Sequence, residues 1–87
     1  MKAELADYIL CLSESLAHTR QANDRPLYQM YLADAAVLLA LVERGVDIGE
    51  LKQRVQDHER MLSNTWLVGD EHKAVSEAWG KFTALLQ

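Results

Sequence analysis

The chain is short of several things, and each shortage excludes a class of structure. It has one cysteine, so it can build neither an internal disulfide framework nor a cysteine-rich zinc site. One proline and four glycines in 87 residues leave little material for the turns of an all-β fold. There is no basic excess: nine lysines and arginines face thirteen acids, for a formal net charge of −4. Such a chain is not expected to bind nucleic acid. No long apolar run is present either. The longest near-apolar stretch, Ala35 to Val42, falls far below the roughly 20 residues that span a bilayer. The first turn, Met1-Lys2-Ala3-Glu4-Leu5-Ala6-Asp7, carries acids where a signal peptide has a basic start and then an apolar run. The expectation is a soluble cytoplasmic protein with no membrane association.

What the chain does have is apolar side chains at helical spacing. Hydrophobic residues make up 49% of it, which argues against disorder. Its length fits one domain, and a chain this short buries only about 60–65% of its unfolded surface. The periodicity predicts a single all-α domain over residues 1–87: an up-down bundle of four helices at about 3–20, 25–44, 48–66 and 71–86. Leu5, Ile9, Leu12 and Leu16 form the stripe of the first helix, with Tyr8 beside them. Asn23 or Asp24 offers an N-cap before Pro26, which suits a first turn because its missing N–H has no partner there. Gly45 is placed as a left-handed stop. Asp47-Ile48-Gly49-Glu50 has the form of a capping box. Ile48, Leu51, Val55, Leu62 and Trp66 line the third helix. Val75, Ala78, Trp79, Phe82, Leu85 and Leu86 line the fourth, with Asp70 as its cap. Gly80 inside it signals either a weak helix or a close approach.

The second helix is the informative one. On a helical wheel Leu27, Met30, Tyr31, Val37, Leu38 and Leu41 form one apolar face. Tyr28, Leu32, Ala35, Leu39 and Val42 form another, rotated by about 100°. Ala33, Ala36 and Ala40 are small enough to admit another helix. A helix apolar on nearly every side must be surrounded. Three partner helices in so short a chain surround it only in part, so a homodimer through residues 25–44 is expected.

Asp34 stands inside the first of these faces. A carboxylate in apolar surroundings is costly unless hydrogen-bonded or paired. Either it accepts from a tyrosine, tryptophan or arginine and fixes register, or it anchors a ligand in a pocket. Tyr28, Tyr31, Leu38 and Trp66 join it as ligand or interface candidates, Trp66 because tryptophan near a helix end is a frequent binding hot spot.

The remaining constellations are ordinary. Asp7, Cys11, Glu14 and His18 share one ridge of the first helix, but Cys11 and His18 stand roughly 10 Å apart along it, too far to hydrogen-bond. That ridge reads as a solvated face. His58 and His72 read as boundary residues with carboxylate neighbours. Neither a His-Glu-x-x-His nor a Glu-x-x-His pattern occurs, so no metal and no cofactor is expected. Lys52, Arg54 and Arg60 alternate with Glu50, Asp57 and Glu59, which makes a balanced face and not a DNA-recognition helix. No nucleophile–base–oxyanion set can be assembled, so catalysis is not expected. The expected function is a small acidic protein-interaction module, an adaptor or regulator. The alternatives are a bundle holding a small apolar ligand on Asp34, and an antitoxin or immunity protein.

Overall fold

The structure is a computed structural model and describes residues 1–65 and 72–86. The described chain is four helices: α1 (Lys2–His18), α2 (Arg25–Arg44), α3 (Ile48–Asn64) and α4 (Lys73–Ala84). They form an all-α up-down bundle. α1 packs on α2 and α4, and α2 packs on α3. α3 and α4 make less close backbone contact than these pairs, and side chains bridge them: Trp79 lies against His58, and its indole N–H donates to Glu59.

The helix ends follow local chemistry. α1 stops at His18, where Thr19 turns to extended backbone, two residues before the expected end. α2 begins after Asp24, with Pro26 in its first turn. Asp24 makes no side-chain cap bond; its carboxylate faces His72 instead. α2 ends at Gly45, which takes the left-handed conformation (φ 69°). The amide of Val46 then donates to the Leu41 carbonyl at 3.3 Å, the long-range bond of a Schellman stop. Asp47 caps α3 by accepting from the Gly49 amide at 3.0 Å. The expected cap of α4, Asp70, lies outside the described residues; among those described, His72 occupies the N-cap position.

The core is one cluster drawn from all four helices: Leu5, Tyr8 and Leu12; Tyr28, Tyr31, Ala35 and Leu38; Leu51 and Val55; Val75, Trp79, Phe82 and Leu86. Several sequence-based placements shift. In α1 the buried line is Leu5–Tyr8–Leu12, with Ile9 and Leu16 only partly covered. The first helix is therefore rotated toward Tyr8, whose hydroxyl has a partner inside. In α2 the buried line runs between the two apolar faces, through Tyr28, Tyr31, Ala35 and Leu38. Met30 and Val37, expected to face a neighbour, remain exposed. Gly80 is not a close approach: a Cβ there would meet nothing within 4 Å. The ridge of Asp7, Cys11, Glu14 and His18 is largely exposed, with Cys11 half-buried.

Candidate functional site

Two histidines expected at the core boundary are buried inside it, and each is the centre of a tyrosine–histidine–aspartate chain. His58 on α3 has no exposed surface. Its Nδ1 lies 2.7 Å from Oδ2 of Asp34 on α2. Its Nε2 lies 2.7 Å from the hydroxyl of Tyr8 on α1. A carboxylate only accepts, so Nδ1 carries the proton and donates to Asp34. Nε2 is left as the acceptor for the Tyr8 hydroxyl. The neutral imidazole thus satisfies both nitrogens, the phenol and one carboxylate oxygen with two hydrogen bonds. Trp79 of α4 lies against the same ring, with centroids 4.6 Å apart, so one side chain touches all three other helices.

His72 repeats the arrangement at the start of α4. Its Nδ1 bonds the hydroxyl of Tyr28 on α2, and its Nε2 lies 3.8 Å from Oδ2 of Asp24. The ring is turned over relative to His58, with Nδ1 rather than Nε2 meeting the tyrosine. Tyr31 completes the seam. Its hydroxyl donates into the fork of Thr65, 2.5 Å from Oγ1 and 3.0 Å from the carbonyl. The Thr65 hydroxyl in turn donates to the Met61 carbonyl at 2.7 Å. The three tyrosines of the chain therefore all reach from α1 and α2 to acceptors on or beside α3 and α4.

The electrostatics follow from burial. Burial pushes the His58 imidazole below its usual range, and its hydrogen bond to Asp34 opposes this only in part. Burial, with Tyr31 and Asp34 nearby, raises the Tyr8 phenol well above its ordinary value, so it stays protonated. The hydrogen-bond order has the form of a nucleophile, base and orienting acid. Tyr8 and His58 have no exposed surface, however, so no reacting group reaches them in this conformation.

The candidates from the sequence are placed as follows. Asp34 has a half-exposed side chain, 44%, and pairs with a histidine, a partner absent from the tyrosine, tryptophan and arginine expected for it. Tyr28 and Tyr31 are buried and their rings meet edge to face at 6.4 Å. Leu38 is core. Trp66 lies outside the described residues. The residues missed are Tyr8, Asp24, His58 and His72. A signal for the histidines was present: Leu51, Val55, His58 and Leu62 step by four, three and four, as do His72, Val75, Trp79, Phe82 and Leu86 in the order three, four, three, four. Each histidine occupies a core position of its own helix.

Beside this seam is a cleft of about 280 Å³ between α3 and α4, floored by Tyr31 and His72. Asp34 does not line it. No group of three or more metal-ligating side chains occurs among the described residues. No protein-family model matches the chain, and no curated protein or solved structure shows significant similarity to it.

Proposed function

We propose that this chain is a small protein-interaction module that acts as a homodimer through the outer face of α2. One observation carries the reading: that face is exposed and carries no charge. Pro26, Gln29, Met30, Ala33, Ala36, Val37 and Ala40 are all exposed, and all fall within one arc of the wheel. The flanking charges lie only at the limits of the stripe: Arg25 at the first residue of α2, and Glu43 and Arg44 at its last two. A quarter of the chain is charged, and the solvent face of a monomeric bundle helix normally takes a large part of such charge. The other large apolar side chains of α2 are buried or packed on the core, so what the outer face leaves uncovered is Met30, Val37 and the small alanines between them.

A second copy fits this face. Arg25 and Glu43 are eighteen residues apart, five full turns, so they share one wheel position. Two antiparallel α2 helices place Arg25 of one copy beside Glu43 of the other, twice over. The alanines let the two backbones approach closely. Light scattering at about 100 µM, a concentration that populates a dimer of micromolar Kd, is expected to give twice the 9.9 kDa monomer mass. Ala33→Glu, at the centre of the face, is expected to give a folded monomer. A wild-type species of 9.9 kDa under these conditions overturns the reading.

A further inference from the structure

The cleft between α3 and α4 has the chemistry of a binding site, and it owes nothing to the outer face of α2. It exists because of register. Glu59, Leu62 and Ser63 lie at i, i+3 and i+4 on α3. His72, Val75, Ser76 and Trp79 lie at i, i+3, i+4 and i+7 at the start of α4. Each set therefore forms one ridge, and the two ridges face each other across the cleft. Large aromatic side chains hold them apart: Trp79 fills the space between α3 and α1, against His58 at 4.6 Å and Tyr8 at 4.8 Å.

The lining divides into two parts. Leu62, Val75 and Trp79 supply an apolar wall, and Tyr31 and His72 the floor. Glu59, Ser63 and Ser76 are exposed at the rim and supply a carboxylate and two hydroxyls. Glu59 is held in place, since its Oε1 accepts from the Trp79 indole N–H at 3.3 Å. That bond uses one of the acceptor positions of the carboxylate, which has about four. Among the described residues Glu59 is the single acid in the lining, and no lysine or arginine joins it. The volume of about 280 Å³ is at the small end for ligand pockets.

We propose that this cleft binds a small primary ammonium compound with an apolar or aromatic body. An ammonium has three N–H donors and no acceptor. The rim offers one charged and two neutral oxygen acceptors to meet them. The body lies between Leu62 and Val75 with Trp79 beneath. A carboxylate-bearing compound of the same shape meets Glu59 with like charge and is excluded. A quaternary ammonium keeps the charge but has no N–H to give the serines, so it binds more weakly.

The test uses the full chain carrying Trp66→Phe, so that Trp79 is its one tryptophan. Phenethylammonium chloride is titrated while Trp79 emission is followed, with isothermal titration calorimetry as a second readout. Saturable binding is expected for phenethylammonium, weaker binding for its trimethylammonium analogue and none for phenylacetate. Glu59→Gln keeps an oxygen to accept from Trp79 but removes the charge. It is expected to weaken phenethylammonium binding about tenfold, in line with the greater strength of charge-assisted bonds, with the helical circular dichroism unchanged. Ser63→Ala is expected to weaken it less. The proposal is overturned if phenethylammonium gives no saturable response up to about 10 mM, a limit that corresponds to under 3 kcal/mol of binding. It is equally overturned if phenylacetate binds as well, or if Glu59→Gln leaves the affinity unchanged. None of these outcomes depends on whether the chain dimerises.

Discussion

His58 has no exposed surface and two ring nitrogens that must each find a partner. The structure supplies one from each of two other helices. Removing either partner leaves a buried polar atom unsatisfied, at a cost of about 1–3 kcal/mol. Tyr8→Phe strands Nε2 and is expected to lower stability by about 1–2 kcal/mol. His58→Leu strands the Tyr8 hydroxyl and is expected to cost as much or more. In the double variant neither atom is left alone, so its loss is expected to fall short of the sum, read from urea unfolding as a double-mutant cycle. The same burial predicts a pH dependence. The folded imidazole titrates below the ordinary value of 6.5, so the unfolded chain binds the proton first. Stability from this residue is present above about pH 6.5 and is lost as the pH falls through that value toward the lower folded one. The urea midpoint of the wild type is expected to drop between about pH 7 and 5, and that of His58→Gln to drop less. Equal slopes for the two proteins would rule out His58 as the group responsible.

At the scale of the element, two glycines make opposite predictions although neither has a neighbour within 4 Å of an added Cβ. Gly80 sits inside α4 with ordinary helical backbone. Gly80→Ala is expected to raise stability by about 0.5–1 kcal/mol, because alanine loses less backbone freedom on folding. Gly45 holds a φ of +69° at the end of α2. Gly45→Ala is expected to lower stability by about 1–2 kcal/mol, because a Cβ is disfavoured in that conformation whatever the space around it. A thermal melt of each variant gives the sign. Helix α2 is governed by a different balance. It buries two tyrosines whose hydroxyls leave the helix for distant partners, while its opposite side is alanine, methionine and valine. The inner face is committed to the fold and the outer face is available.

For the whole molecule, mass action supplies the sharpest prediction. If the folded unit is a dimer, its melting temperature rises with protein concentration. That rise is expected for the wild type and is expected to vanish in Ala33→Glu. The orientation is testable as well. Arg25→Glu alone is expected to weaken the dimer, since it faces Glu43 of the second copy. Arg25→Glu combined with Glu43→Arg is expected to restore it. A parallel arrangement sets Arg25 beside Arg25 and gives no such rescue. Within one copy Arg25 donates to the Leu16 carbonyl at 3.1 Å and Glu43 meets Lys2 at 3.3 Å. Both contacts are exposed and contribute little to the fold.

Much of the bundle was legible because its causes are local. The spacing of Leu5 and Leu12, or of Leu51 and Val55, marks a helical stripe whatever the rest of the chain does. The bounds of α2, the stop at Gly45 and the cap at Asp47 rest on backbone chemistry within a few residues. The polar seam was not legible in the same way. His58 and His72 stand at core positions of their helices, yet a histidine there is tolerable only if partners arrive from elsewhere. Those partners, Tyr8 and Asp34 or Tyr28 and Asp24, lie 24 to 50 residues away in the chain. Asp34 shows the converse. Its polarity stood out in the sequence, but its exposure and its histidine partner came from how α2 is turned against α3. Sequence by itself determined the number of helices, the bounds of α2 and its apolar character, because propensity, caps and periodicity act over one to four residues. Only the tertiary structure decided which side of α2 is covered, which hydroxyl meets which imidazole, and where a cleft opens between α3 and α4. Those depend on the rotation of each helix about its axis, which only packing against the other three can set.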